Sequence, residues 1–365
     1  MILTPSYSRI NILRQDHIDA AICILSIFED LYKLSGLTMP EEVRRYENFS
    51  ELKDNLKRWF TDPQIDIVKK FQIVTDVMQN PDTIFLVGEN HVRVRQAQGI
   101  KYIDATFAPE YCVRGDKKSK ARLTVKEAIA SMIEGIKSGE RKYPGIEVNI
   151  ICAVDRSNTP ERAVKLVDIF SECDRDYIVA TDLVCDEAGH PPEKHTPMYK
   201  RAKERNLPKT CHAAEWVKNR PHEEKVTYEQ ISRNFQEDLP DRLRNLRTAL
   251  IELDANFINH GLGLPFDKEL MEFMTDKRIG VSVCPGNYIA SRLVPEIGTI
   301  GIPIMLETGV PVTLDIDDDL IFDDIRKVIK MTNLTKDQLQ QLNRNAQETR
   351  FGNRKPISVN ITPSL

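Results

Sequence analysis

The sequence predicts an α/β protein that folds as a (β/α)8 barrel of the TIM type, with extra helices near the barrel mouth. Apolar, β-rich runs recur eight times, and amphipathic stretches of helical length lie between most of them. Most of the runs lack a polar face, which is typical of parallel strands covered by helices. The length of 365 residues also suits one barrel with insertions.

Each predicted element follows from its local pattern of apolar residues. The strands are expected at residues 9–13, 100–107, 146–154, 177–184, 209–212, 256–260, 280–284 and 310–315. Helices are expected at 124–137, 159–172, 196–206, 239–253 and 267–277. Residues 14–99 are far longer than one crossover needs and are helical and charged in character, so they should supply the extra helices. We expect a single barrel over residues 1–350 and an irregular tail over 351–365.

The composition limits the partners of this chain. The formal charge is −4 from nearly balanced acidic and basic residues, so no positive field gathers nucleic acid or an anionic membrane surface. The apolar segment 20–28 is too short to span a bilayer. Seven cysteines form an odd set without a CxxC pair, which indicates a reducing compartment and a cytoplasmic location.

Polar residues follow four of the predicted strands and carry the functional signal. They are His212 and Glu215, His260, Cys284, and the neighbouring Asp317 and Asp318. The C-terminal ends of barrel strands meet at one mouth, where such side chains would converge. Imidazole and carboxylate groups are ligands for a divalent cation, and the remaining acids could move protons. Carboxylates clustered after a buried strand repel one another unless a cation or a shared proton relieves them.

Several of these signals have a plain structural alternative. A single HxxE pattern is weak, and His212 alone could be a hydrogen-bonded structural histidine. Residues 15–19 could be the cap and first turn of a helix. The basic loop at 114–122 reads as a solvated surface loop or as a contact for a substrate phosphate. No GxGxxG fingerprint, Walker loop, PCxxC zinc motif or GxSxG elbow is present.

Taken together, the motifs resemble the adenosine deaminase family of metal-dependent barrel hydrolases in order, spacing and context. The family's HAGE appears as His212-Ala213-Ala214-Glu215, its GHG as Asn259-His260-Gly261, its CP as Cys284-Pro285, and its S/N-x-D-D as Asp315-Ile316-Asp317-Asp318. Residues 102–109 resemble the family's second strand and 182–187 its fourth, so that the likeness spans roughly 9–351.

The resemblance implies a role for each matched residue. One divalent ion, expected to be Zn²⁺, would be held by His17, His212 and Asp317, with Gln15 at the place of a fourth ligand. Glu215 would protonate the purine ring at N1, His260 would orient or deprotonate the attacking water, and Asp318 would hydrogen-bond that water or N7. Substrate contacts are implied for Asp19, Cys185 and Asp186. The implied reaction is hydrolytic deamination of a 6-aminopurine nucleoside or nucleotide, a small-molecule partner, to the 6-oxo compound and ammonia.

The departures from the family pattern define the alternatives. The family's first strand ends in HxH, whereas this chain has Gln15-Asp16-His17, and an amide oxygen is a weaker and harder donor than imidazole. Ala214 replaces a glycine, and Asn287-Tyr288 replace the usual Ser-Asn. The sequence favours an active enzyme. It leaves open a catalytically impaired relative that binds a nucleoside, a nucleotide or a protein partner, and a barrel that hydrolyses another amidine or cyclic amide.

Overall fold

Eight parallel strands form the centre of the molecule, at the eight predicted positions. The computed structural model describes residues 10–20, 26–38, 51, 54, 72–113, 123–219, 226–317, 324–352 and 354. The strands are β1 (Ile12–Leu13), β2 (Tyr102–Phe107), β3 (Glu147–Asp155), β4 (Ile178–Val184), β5 (Thr210–Ala213), β6 (Phe257–His260), β7 (Gly280–Val283) and β8 (Val312–Leu314). Nearly all of their residues are buried, as the continuous apolar runs predict.

The strands close into a barrel. They pair in chain order within two halves, β1 to β4 and β5 to β8. A parallel bridge between Thr181 and Lys209 joins the halves on one side, and a bridge between Asp16 and Asp317 joins them on the other. Closure removes the sheet edges and brings the C-terminal ends of all eight strands to one mouth. The predicted barrel is confirmed.

Helices cover the outside of the barrel. In the described part of the chain they are α1 (Phe28–Ser35), α2 (Pro81–Ala97), α3 (Val125–Lys142), α4 (Pro160–Ser171), α5 (Thr196–Glu204), α6 (Tyr228–Arg247), α7 (Lys268–Lys277), α8 (Pro285–Ala290), α9 (Ile302–Thr308), α10 (Ile325–Thr332) and α11 (Lys336–Thr349). Two of them, α1 and α2, lie in the long insertion after β1, where helices are predicted. None of the described helices is long and apolar enough to cross a membrane.

Helix α2 is tied to the end of the first strand by a buried ion pair. Both Arg95 and His91 of α2 contact the Asp16 carboxylate, with Arg95 Nε at 2.7 Å and His91 Nε2 at 2.9 Å. Burial would raise the pKa of Asp16, but Arg95 and His91 lower it well below its usual value. This contact fixes the chain segment that carries the neighbouring Gln15 and His17.

The predicted helix 239–253 begins too late. Helix α6 starts at Tyr228, where Thr227 and Gln230 form a reciprocal capping box. Pro240 lies inside α6 and suggests a helix start when only the sequence is read. A π-helical turn, Thr248–Glu252, follows α6 directly.

The beginning of the predicted tail packs against the barrel. Phe351 donates its backbone N–H to Asp104 Oδ2 at 3.2 Å, and its ring lies 4.6 Å from the Arg14 guanidinium. Arg354 contacts Glu140 on α3 at 2.9 Å. Residues 355–365 lie outside the described part of the chain, so the irregular tail remains a prediction for them.

Candidate active site

Three ligand-type atoms from different strand ends meet at the barrel mouth. His17 Nε2, after β1, lies 3.1 Å from His212 Nε2 of β5 and 3.3 Å from Asp317 Oδ1, after β8. All three can place one ligand atom within 4.8 Å of the others. His17 and His212 are 195 positions apart in the chain, and Asp317 follows 105 positions later, so barrel closure brings the three together.

A carboxylate at the Nδ1 side of the ring fixes the orientation of His212. Asp182 Oδ2, on β4, lies 2.8 Å from His212 Nδ1. Burial would raise the pKa of Asp182, but the neighbouring His212 and hydrogen bonds lower it below its usual value. The ionised carboxylate accepts the Nδ1 proton, so the Nε2 lone pair faces the other two ligand atoms. A carboxylate behind a ligating histidine is the usual arrangement at metal sites.

The spacing of these atoms fits a bound divalent ion. A tetrahedral zinc ion, with bonds of about 2.0–2.1 Å, separates its ligand atoms by about 3.3 Å. The His17–His212 and His17–Asp317 separations of 3.1 and 3.3 Å match this value. Two imidazoles and one carboxylate are also a donor set that such an ion prefers. The chemistry and the spacing of this cluster therefore suit the ion that the resemblance implies.

Gln15 lies beside the ligand cluster and within hydrogen-bonding distance of three of the side chains there. Its Nε2 lies 3.0 Å from Asp317 Oδ1, 3.1 Å from His260 Nε2 and 3.4 Å from His212 Nε2. Its Oε1 points the other way and accepts hydrogen bonds from Ser282 Oγ and, at 3.4 Å, from Cys284 Sγ. The structure therefore brings Gln15 to the predicted place, with its amide nitrogen facing the ligand atoms.

Glu215 and His260 form a close pair of titratable groups beside the cluster. His260 Nε2 lies 3.3 Å from Glu215 Oε2. Burial, together with the negative charges of Asp317 and Glu187, raises the pKa of Glu215 well above its usual value. Burial also lowers the pKa of His260 well below its usual value. These shifts go in the directions that favour a proton on Glu215 and none on His260, as their implied roles require.

The turn that carries Glu215 is clamped on both sides. Ala214 adopts a left-handed φ of 66°, a conformation for which the family has glycine. Glu187 accepts the backbone N–H groups of Ala214 at 2.8 Å and Glu215 at 3.0 Å. Arg242 donates to both carbonyl oxygens, at 2.7 Å for Glu215. These bonds offset the strain of a non-glycine residue and fix the direction of the Glu215 side chain.

Left-handed backbone recurs at the mouth. Cys185, His260 and Asp317 have φ values of 77°, 75° and 66° and stand at or just after the ends of β4, β6 and β8. Strained non-glycine residues of this kind cluster at functional sites, where the surrounding structure holds them in place. Their grouping around the cluster is independent support for a site here.

The three residues that are predicted to contact the substrate differ in burial and in hydrogen-bond partners. Asp19 is buried and accepts the Ala108 backbone N–H at 2.9 Å, and burial raises its pKa. Cys185 is exposed, and its Sγ lies 3.0 Å from the Tyr111 hydroxyl. Asp186 is turned into its own loop, where it accepts the Gly189 N–H at 3.0 Å. Asp318 and the basic loop 114–122 lie outside the described residues.

Two further residues contact the site and were not predicted to act there. Asn287 Nδ2, on α8, lies 3.4 Å from Glu215 Oε1 and also donates to Asp317 Oδ2. The Tyr288 hydroxyl lies 3.3 Å from His260 Nδ1. In the sequence both appear only as replacements for the usual Ser-Asn after the CP motif, and their contacts depend on the packing of α8 over the mouth.

The barrel and the polar cluster at its mouth fit a hydrolase that acts at the C-terminal ends of the strands. The sequence model of the adenosine deaminase family matches residues 26–225 and 242–356. The chain belongs to the adenosine deaminase family, whose relatives are hydrolases acting on the C–N bonds of cyclic amidines.

Individual relatives agree with this assignment. An adenosine deaminase from Shewanella denitrificans is 22% identical over 342 residues, which cover 92% of each chain. A zinc-bound amidohydrolase from Burkhoderia ambifaria superposes with a TM-score of 0.74 at 18% identity, over 94% of this chain and 86% of that one. An N6-mAMP deaminase from Arabidopsis superposes with a TM-score of 0.67 at 17% identity, over 94% of each chain. These two structural likenesses show the barrel fold.

Proposed function

We propose that the chain catalyses hydrolytic deamination of a 6-aminopurine nucleoside or nucleotide at a single divalent ion, most readily Zn²⁺. The observation that carries the proposal is the convergence of ligand atoms of His17, His212 and Asp317 within 4.8 Å of one another. Glu215 and His260 lie beside these atoms, and burial raises the pKa of Glu215 and lowers the pKa of His260, the directions that an acid and a base need. The membership of the chain in the adenosine deaminase family supports the same reaction.

Each proposed step uses one group of the chain. Water adds to C6 of the purine, and the 6-amino group leaves as ammonia. The bound ion would supply the activation of that water by lowering its pKa from 15.7 to about 7. Glu215 donates a proton to ring N1 as the C–O bond forms, and His260 orients the water and accepts one of its protons. His260 then gives this proton to the departing amino group, and the C6 hydroxyl proton returns to Glu215 as the C6–O double bond forms and the C6–N bond breaks. We assign Asp318 to a hydrogen bond with the water or with N7.

The sugar end of the substrate would lie near Asp19, Cys185 and Asp186. Two of these are acids, and a third carboxylate, Asp155, accepts a 2.6 Å hydrogen bond from Tyr111 beside Cys185. Hydroxyl groups of a ribose suit carboxylate partners, whereas a phosphate needs basic ones. Among the described residues, these carboxylates favour a nucleoside as the substrate. The basic residues in the sequence 114–122 make a nucleotide the second candidate substrate.

The test is turnover by the zinc-loaded chain. Adenine, adenosine, AMP and N6-methyl-AMP are each incubated with the zinc-loaded and the chelator-treated protein, and ultraviolet absorbance and ammonia release are followed. We expect zinc-dependent conversion of at least one nucleoside or nucleotide. A chain that holds one zinc ion and converts none of the four compounds would refute the proposal.

One observation favours a second candidate, a deaminase-like chain that binds purines without turnover. The inward-facing Gln15 amide nitrogen occupies hydrogen-bonding positions on Asp317, His212 and His260 and so competes with a cation. Such a chain would purify with much less than one metal ion and still be stabilised against unfolding by adenosine. Metal analysis of the purified protein separates the two candidates.

A further inference from the structure

A chain of buried polar groups runs behind the ligand cluster and ends at Gln15. Asn259 Nδ2, on β6, donates to Asp182 Oδ2 at 2.9 Å. Ser282 Oγ, on β7, lies 3.1 Å from Asn259 Oδ1 and also contacts Gln15 Oε1. All four residues are fully buried, so each hydrogen bond must be made within the protein.

This hydrogen-bond network has too few hydrogens when the Gln15 amide nitrogen faces the ligand cluster. The Asp182 carboxylate accepts from Asn259, which leaves Asn259 Oδ1 facing Ser282 and requiring a donor. The Ser282 hydroxyl has one hydrogen, yet two carbonyl oxygens, of Asn259 and Gln15, face it. If that hydrogen serves Asn259, Gln15 Oε1 keeps only the weak Cys284 thiol donor at 3.4 Å.

A half-turn of the Gln15 amide removes this conflict. Its two N–H hydrogens would then donate to Ser282 Oγ and Cys284 Sγ, while Ser282 donates to Asn259. The amide oxygen would take the present place of Nε2, between 3.0 and 3.4 Å from Asp317, His260 and His212. Without a cation, lone pairs would face one another there, so the turned amide is favoured only when a cation is present.

We propose that the Gln15 amide turns when the divalent ion binds and supplies Oε1 as a fourth protein ligand, and that Ser282 is the positioning residue that holds it in that orientation. The inference rests on the proposed metal-dependent function. It explains how an amide serves at the place of the family's first histidine, because the hydrogen-bond chain from Asp182 to Ser282 selects the oxygen of Gln15 for the ion. Carbonyl oxygen is also a harder donor than imidazole, so the site should discriminate less strongly against Mn²⁺ than its Gln15→His variant does.

The test compares zinc affinity in a double-mutant cycle, measured by competition with a chromophoric chelator and therefore without turnover. Ser282→Ala should weaken zinc binding about tenfold, the usual effect of losing a residue that orients a ligand. In a Gln15→Glu chain, both side-chain oxygens are equivalent and no orientation has to be selected. There, Ser282→Ala should change the zinc affinity less than about twofold, because the effect on coordination is gone.

The matched control is Ser138→Ala, which removes another buried serine hydroxyl, one that hydrogen-bonds Glu89 on the outer helices at 2.5 Å. It should leave zinc affinity unchanged, and thermal unfolding of the metal-free variants checks that each has folded. An unchanged or raised affinity in Ser282→Ala would overturn the inference, and so would an equal loss in the Gln15→Glu background. If the wild-type chain binds no zinc at all, the proposed function fails first.

A second measurement needs no variant. In a crystal structure of the zinc-loaded wild-type chain, the nearest Gln15 side-chain atom should lie about 2.0–2.2 Å from the ion, a bonding distance for oxygen. A Gln15 amide more than about 3 Å from a zinc ion held by His17, His212 and Asp317 would contradict the proposed ligand while leaving the proposed function intact.

Discussion

Replacing Asp182 by asparagine tests the support of the ligand cluster most selectively. Asp182 touches no substrate in our account, and its Oδ2 receives both His212 Nδ1 at 2.8 Å and Asn259 Nδ2 at 2.9 Å. An asparagine oxygen at the Oδ2 position can still accept from both donors, but its amide nitrogen then faces the Leu183 N–H, which donates to Asp182 Oδ1 at 2.8 Å. If the amide turns, its nitrogen faces the His212 and Asn259 donors instead. In either orientation a buried donor loses its acceptor, and the negative charge that fixes the His212 tautomer is gone.

The expected loss follows from this geometry. Removing the carboxylate behind a ligating histidine weakens metal binding about 10–100-fold, which is about 1.4–2.7 kcal/mol. At saturating zinc, the stabilisation of the fold by the ion should fall by the same amount. Chelator competition gives the affinity, and denaturant unfolding with and without zinc gives the stabilisation.

The control for Asp182→Asn is Asp155→Asn. Asp155 is also a carboxylate at a strand end of the mouth, but it bonds Tyr111 at 2.6 Å rather than a ligand of the ion. Its replacement should change the zinc affinity less than about threefold. The reasoning is refuted if Asp182→Asn also binds zinc within threefold of the wild type, or if both variants lose the same affinity.

Three further changes test the acid, the clamp and the buried histidine. Glu215→Gln should lower kcat about 10²–10⁴-fold with the zinc content unchanged, because the proton donor is lost. If the variant keeps more than a tenth of the wild-type turnover, Glu215 is not the proton donor to N1. Arg242→Met leaves the carbonyl oxygens of Ala214 and Glu215 without their donor, so it should lower the free energy of unfolding in urea by about 2–4 kcal/mol. A loss below about 1 kcal/mol would show that these two hydrogen bonds contribute little. Burial lowers the pKa of His195 to about 4 from 6.5, so the unfolded chain binds the proton first as pH falls. The contribution of His195 to the free energy of unfolding should therefore fall by about 3 kcal/mol between pH 6.5 and pH 4. His195→Gln should show a correspondingly smaller drop in the same titration, and an identical pH dependence would contradict this sign and magnitude.

The barrel could be predicted from the sequence because its strands are short, apolar and buried on both sides. Each of the eight runs corresponds to a strand whose burial pattern is nearly continuous. The start of α6 could not be predicted in the same way. Pro240 is a strong local signal against a helix interior, and only the capping box at Thr227 and the packing of α6 on the barrel outweigh it.

The candidate site could be predicted as a set of residues but not as a network. Gln15, His17, His212 and Asp317 lie at or just after the ends of strands, and barrel closure is enough to bring them together. The direction of the Gln15 amide depends on hydrogen bonds from Ser282 and Cys284, which are more than 260 positions away in the chain. No local pattern encodes such contacts.

Asp315 is another residue whose contacts could not be predicted from the sequence. In the sequence it belongs to the acidic cluster after the last strand, yet in the structure it accepts backbone N–H bonds from Arg14 at 2.6 Å and Gln15 at 3.1 Å. Burial raises its pKa to about 6. Its observed contacts join the end of β8 to the end of β1, which aligns the two segments that carry Asp317 and His17.

The most direct test of the central claim is the zinc stoichiometry of the purified chain and of three single variants, His17→Ala, His212→Ala and Asp317→Asn. Each is dialysed against buffered zinc and analysed for bound metal, with unfolding curves recorded to confirm a folded barrel. We predict one ion per wild-type chain and a large loss of bound zinc in every variant. Zinc that remains bound at full stoichiometry in all three variants would contradict a metal site built from these residues.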